Sequence, residues 1–207
     1  MDLEDKFDEL LENSIILDEY FVEATFQLKL MMELTDFIDK SRVLSERKIQ
    51  AYELDSKKHT KVFPERNIQV YGLNSKEYVK KEIDIVIEAE KDDKIAIELK
   101  MPMKRNGQVP EQMYSIVKDI KFLEQLKESG EFNKCYLLTV TNNDSFWERV
   151  PGREKKEIYK YFRYDEILTG KIEKPTGENK GFHQISGKYK ITWKNLGNGF
   201  RYFTIKI

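Results

Sequence analysis

Apolar and polar side chains alternate most strictly in two runs between Glu82 and Met101. In the first, Ile83, Ile85 and Ile87 oppose Glu82, Asp84, Val86 and Glu88. In the second, Ile95, Ile97, Leu99 and Met101 oppose Lys94, Ala96, Glu98 and Lys100. A period of two is the signature of half-buried strands. The polar segment Lys91-Asp92-Asp93 between them predicts an antiparallel hairpin. A turn centred there pairs residues whose numbers sum to about 184, which sets Asp84 opposite Lys100 at ~5 Å and Glu98 one diagonal away at ~7 Å. Val86 and Ala96 make the middle of this otherwise polar face apolar, so a neighbouring element is expected to cover it. Two carboxylates and an ammonium then gather at one end of a covered face.

The rest of the chain frames this hairpin. Leu3, Phe7, Leu10 and Leu11 recur at helical spacing, with acids in the first turn. A longer helical pattern runs from Asp18 to Asp39 through Phe21, Ala24, Leu28, Met31, Leu34 and Ile38. A third helix is expected from Ser45 through Glu46, Ile49, Tyr52 and Glu53, and Glu46 shares a face with Ile49. Pro64 closes that region, and Asn67 to Leu73 reads as a first strand. After the hairpin and a polar loop, Met103 to Gln108, Pro110 marks a helix start. Met113, Ile116, Val117, Ile120, Leu123 and Leu126 give that helix one apolar stripe until Gly130. Lys134 to Val140 reads as a central strand, and Thr141 to Ser145 is turn chemistry. Beyond Pro151 the expectation is partial helix over Glu154 to Leu168 and a polar loop from Thr169 to Gly181. A last hairpin pairs Tyr189–Trp193 with Arg201–Ile207 around Asn195 to Gly199.

Composition narrows the class without naming a chemistry. A chain of 207 residues fits one domain with a full core. The expected division is an N-terminal helical segment (1–44), a core (45–141) and an extension carrying the last hairpin (142–207). Acids and bases nearly cancel to a net charge of -1, so composition alone does not point to nucleic acid. A local basic patch is still compatible with that total. The single cysteine, Cys135, forbids an intramolecular disulfide and fits a reducing compartment. No apolar run approaches the ~20 residues that span a bilayer, and Met1-Asp2-Leu3-Glu4-Asp5 has the wrong charge for a signal peptide. The expectation is a cytoplasmic protein with no membrane partner.

The order helix, strand, strand, strand, helix, strand, with Asp84 on the second strand and Glu98-Leu99-Lys100 on the third, resembles the PD-(D/E)XK nuclease superfamily. That group includes restriction endonucleases and Holliday-junction resolvases, and VPEQMYSIVKDIKFLEQL is similar to uncharacterised bacterial members. The resemblance covers about Glu46 to Thr141, and Ile83 stands where the name-giving proline would be. It implies an α/β fold with a restriction-endonuclease-like mixed central sheet flanked by helices. It also implies hydrolysis of phosphodiester bonds, with DNA as the partner and a homodimer as one compatible arrangement. Magnesium or manganese would be held by Asp84, Glu98 and the backbone carbonyl of Leu99. Lys100 would orient or activate water and stabilise charge on the phosphate. Glu46 and Gln112 would match the helical glutamate and the polar helix position used beside the metal in some branches.

Other readings of the same residues compete with this one. The charged face can be an ordinary solvated surface, or Lys100 and Asp84 can form a structural ion pair. A nuclease fold that no longer cuts, serving as a nucleic-acid-binding or protein-interaction module, fits the same pattern. There is no glycine-rich phosphate loop, and His59 and His183 stand isolated, which argues against zinc or a histidine triad. Trp147, Trp193 and the run FRYFTIKI can stack on bases or fill the core of the last hairpin. Lys104 and Arg105 can hold a phosphate backbone or be plain loop charges.

Overall fold

A computed structural model of the chain describes residues 3–13, 23–37, 42–43, 61–88, 93–149, 156–177 and 181–207. Its centre is a mixed seven-stranded sheet. The strands are β1 (Arg42–Val43), β2 (Lys61–Asn67), β3 (Glu82–Glu88), β4 (Lys94–Lys100), β5 (Lys134–Thr141), β8 (Lys194–Gly197) and β9 (Phe200–Lys206). They lie in the order β1-β2-β3-β4-β5-β9-β8. The β1–β2 and β4–β5 pairs are parallel and the others antiparallel. A separate ribbon pairs β6 (Leu168–Glu173) with β7 (Phe182–Tyr189). The helices are α1 (Glu4–Asn13), α2 (Glu23–Phe37), α3 (Val109–Glu128) and the short α4 (Tyr159–Arg163). Two parallel strands cannot be joined by a tight turn. The twenty-residue α3 makes the β4-to-β5 crossover and so lies on the sheet.

Period-two alternation divides the sheet's side chains between two cores. Ile85, Ile87, Ile95, Ile97, Leu99, Tyr136 and Leu138 pack with α1 and α2, whose Leu3, Phe7, Leu10, Leu11, Phe26, Leu30 and Leu34 are buried. Val86, Ala96, Cys135 and Leu137 pack on the other face against Met113, Ile116, Val117, Ile120, Leu123 and Leu126 of α3. All six α3 residues have zero exposure, and each contributes up to ~1.5–3 kcal/mol of apolar burial. The cover expected over Val86 and Ala96 is therefore α3.

Several expectations shift. The hairpin pairs Ile85 with Ile97 and Glu88 with Lys94, a sum of 182, so five residues (89–93) lie between the paired ends. A slip of two residues preserves which side each residue faces. The strand expected over Asn67–Leu73 is instead β2, Lys61–Asn67, and Ile68–Tyr71 forms a 3-10 turn capped by the Asn67 side chain. Pro64 lies inside β2 instead of ending a helical region. There it stands opposite Ile85 of β3, while among the described residues β1 pairs only with Lys61 and Val62, so this part of β2 lies near a sheet edge, where proline is tolerated. In α2 the buried face is Phe26, Leu30, Met31 and Leu34, while Leu28 is half exposed and Ala24 is exposed. The loop expected over Thr169–Gly181 contains β6, whose pairing with β7 supplies the hydrogen bonds its polar sequence does not advertise. Helix in Glu154–Leu168 is limited, among the described residues, to α4. The last hairpin is β8–β9 with Lys194–Gly197 as its first arm; Tyr189 instead ends β7. Glu46, Glu53 and the rest of that expected helix lie outside the described residues. No helix among the described residues is long and apolar enough to cross a membrane.

Candidate active site

The charged residues of the hairpin stand at one end of the α3-covered face. In the parallel register Glu98 is beside Leu137 and Lys100 beside Thr139. Glu98 and Thr139 are completely buried. Asp84, with a quarter of its side chain exposed, accepts the Leu99 N–H at 2.8 Å, so one carboxylate oxygen joins β3 to β4 where their ladder ends. From above comes Asp119, three residues after Ile116 and four before Leu123, hence on the buried stripe of α3. Lys80, two residues before β3, extends into the same space. From the opposite layer Glu23, in the first turn of α2, accepts the Met101 N–H at 2.9 Å, and Gln27 donates to the Asp84 carbonyl at 2.6 Å.

One ammonium touches three carboxylates. Lys80 Nζ is paired with Glu98 Oε2 at very short range, and stands 3.2 Å from Asp119 Oδ1 and 3.9 Å from Asp84 Oδ1. Lys100 Nζ lies 3.1 Å from Asp119 Oδ2. Burial opposes the charge on both lysines. For Lys80 the carboxylates of Glu98, Asp119 and Asp84 outweigh that cost, and for Lys100 those of Asp119 and Glu23 do so; both pKa values rise. Burial is also the main reason that the Glu98 pKa is well above the carboxylate range, with Asp84 and Asp119 adding to it and Lys80 opposing. Asp119 is raised mainly by burial, against the pull of Lys100 and Lys80. Glu23, an exposed residue, is raised too, by partial desolvation of its carboxylate against the pull of Lys100 and the Met101 N–H. With every group ionised, the carboxylates of Glu23, Asp84, Glu98 and Asp119 exceed the ammoniums of Lys80 and Lys100 by two charges. A divalent cation among these carboxylates would narrow that excess.

The donor set suits such a cation. Magnesium and manganese take carboxylate and carbonyl oxygens, and Glu98 Oε1 is buried without a hydrogen-bond partner. Among the described residues no three acid, imidazole or thiol groups are spaced to hold a metal in this arrangement. The Lys80 ammonium lies among three of the carboxylates instead.

Of the residues expected at the site, Asp84, Glu98 and Lys100 are brought to one end of one face. The Lys100–Asp84 ion pair is replaced by Lys100–Asp119 and Lys80–Glu98, because the two-residue register shift moves Glu98, not Lys100, next to Asp84. Leu99 contributes its N–H to Asp84. Gln112 does not reach Lys100: its Nε2 donates to the Gly107 carbonyl at 2.5 Å, and its Oε1 is buried without a partner. It stands seven residues before Asp119, two turns or ~10 Å along α3. Glu46 lies outside the described residues. Lys80, Asp119 and Glu23 were not anticipated. Asp119 carried a signal, an acid within an apolar stripe. Lys80 shares the parity of Asp84 but sits before the alternating run, and Glu23 looks like any first-turn acid.

The remaining candidates resolve into packing. Trp193 meets the Phe203 ring edge-on at 4.8 Å, and Trp147 meets Trp193 edge-on at 5.6 Å with the Arg201 guanidinium over its own ring. Lys104 pairs with Asp144 at 2.8 Å. His183 stacks on Tyr114, and burial lowers its pKa, helped by Lys118 and Lys121. Burial pushes the Cys135 thiol up to about 12, which leaves it inert as a nucleophile. His59 lies outside the described residues. No family model matches this chain, and no curated protein or solved structure matches it significantly.

Proposed function

We propose that the chain is a metal-dependent endonuclease that hydrolyses phosphodiester bonds in DNA, of the restriction or resolvase type. The observation that carries the reading is Glu98: a fully buried carboxylate with one partnerless oxygen, beside Asp84 and Lys100 at the end of a covered sheet face. Buried like charges without saturating hydrogen bonds are costly, and they cluster where chemistry needs them. Asp84 and Glu98 would hold Mg²⁺ or Mn²⁺, with the Leu99 carbonyl as a further donor. When bound, the ion would neutralise the phosphate and acidify a water. Lys100, held by Asp119, would orient that water and stabilise charge on the phosphate oxygens. Asp119 is then a positioning residue, fixing Lys100 through the 3.1 Å contact.

A second reading has its own support. The Lys80–Glu98 ion pair neutralises part of the site from within, which favours a nuclease fold that binds nucleic acid or protein without cutting. A panel of linear, branched and single-stranded DNA, with RNA alongside, separates the two. Incubation with Mg²⁺, Mn²⁺ or EDTA should give EDTA-sensitive cleavage that disappears in Glu98→Gln. Retained nucleic-acid binding with no cleavage of any substrate would select the second reading.

A further inference from the structure

We infer that Lys80 is a displaceable internal counter-ion, which keeps the site closed to a divalent cation until its ammonium leaves the carboxylates. The inference rests on the metal-dependent reading of the same site and adds its regulation. Three observations carry it. Lys80 Nζ contacts Glu98, Asp119 and Asp84 together, so it holds the position from which all three acids could be reached. Glu98 Oε1 is completely buried and unpartnered, so the lysine satisfies only half of the carboxylate it binds most closely. Lys80 also lies outside the strand ladder, and its side chain keeps 19% exposure, so it has a route to solvent that needs no broken sheet pairing.

Electrostatics determines the direction of exchange. With both ammoniums in place the four carboxylates keep an excess of two charges, whereas a divalent ion in place of Lys80 reduces it to one and can take oxygens from both Asp84 and Glu98. Coulomb attraction scales with the ion's charge, and hard cations prefer carboxylate oxygen. The exchange costs the lysine its buried ion pairs, which a flexible four-carbon stem can recover partly in water. Metal affinity in the native protein is therefore reduced by competition with a tethered cation. Once released, the ammonium is next to the metal and free to meet an anionic substrate.

The test titrates Mn²⁺ by calorimetry into the wild-type protein, Lys80→Met and Lys80→Arg. Methionine keeps most of lysine's bulk without its charge, and arginine keeps the charge. Lys80→Met should bind Mn²⁺ at least about tenfold more tightly, and Lys80→Arg should not gain affinity. Equal Mn²⁺ affinity in wild type and Lys80→Met would overturn the inference and leave the metal-dependent reading standing. No Mn²⁺ binding by any of the three would overturn both. A measurement on the wild type alone covers the case in which Lys80→Met fails to fold. Reductive methylation read by peptide mass spectrometry should label Lys80 several-fold faster with saturating Mn²⁺ than without it. An unchanged Lys80 rate in the presence of bound Mn²⁺ would overturn the inference.

Discussion

Two buried glutamates, one on α3 and one on the strand β4 beneath it, have opposite surroundings. Glu124, 3% exposed on α3, is surrounded by donors: the N–H groups of Ser186 and Gly187 at 2.9 and 2.7 Å, the Tyr189 hydroxyl at 3.1 Å and Lys121 at 3.4 Å. Its neighbours come from α3 and β7, so the carboxylate fastens the ribbon to the helix. Glu98 has one lysine, one bare oxygen and two further carboxylates close by. A buried carboxylate whose lone pairs are filled is part of the scaffold. One left unfilled among like charges weakens the scaffold, and such groups are concentrated at functional sites. The contrast separates structure from candidate chemistry without reference to any motif.

The largest effect that would sharpen the contrast is chemical. On the proposed hydrolytic reading, Lys100→Ala should reduce cleavage by ~10²–10⁴-fold while nucleic-acid affinity stays nearly intact, because the lysine would act chiefly in the transition state. Single-turnover rates and binding isotherms check this, and activity surviving in Lys100→Ala would place the cutting elsewhere.

Next in size is Glu124→Ala, which strips acceptors from two backbone N–H groups and a tyrosine. It should destabilise the fold by about 3 kcal/mol, lowering Tm by roughly 6–12 °C for a chain of this length. Calorimetry would show it, with specific activity of the folded fraction unchanged.

Glu98→Gln should move stability the other way. The folded state holds the Glu98 proton more tightly than the unfolded chain does, since burial raises its pKa. Wild-type stability attributable to this group is then highest below the ordinary carboxylate range and falls as pH rises through it. The amide does not titrate, and Lys80 keeps Asp119 and Asp84. Metal-free Glu98→Gln should therefore melt a few degrees higher than wild type near pH 7, with the gap closing toward about pH 4. A lower Tm at neutral pH would mean that the Lys80–Glu98 pair is net stabilising and would break the contrast.

The smallest effect belongs to the surface. Lys171 and Glu173 pair at 2.8 Å with both side chains half exposed, on the strand β6 whose partner β7 is held by Glu124. Lys171→Ala should change stability by no more than ~1 kcal/mol, measured by denaturant midpoint.

Local patterning in the sequence determined the hairpin, α1, α3 and the central strand β5. The hairpin and the two helices each carry a period with one face apolar enough to choose its side, whereas β5 is a continuous apolar run of strand length buried on both faces. The same patterning put Asp84, Glu98 and Lys100 on one face, since parity survives a two-residue slip. Tertiary structure decided what the pattern could not encode. The hairpin register was set by loop length, and β6 appeared only because β7 pairs with it. The buried face of α2 followed from the core it met: Phe26 and Leu30 turned inward in place of Ala24 and Leu28. The partners of the site charges, Lys80, Asp119 and Glu23, come from a loop and two helices distant in sequence. Periodicity reports which way one element faces, whereas ion pairing depends on where separate elements end in space.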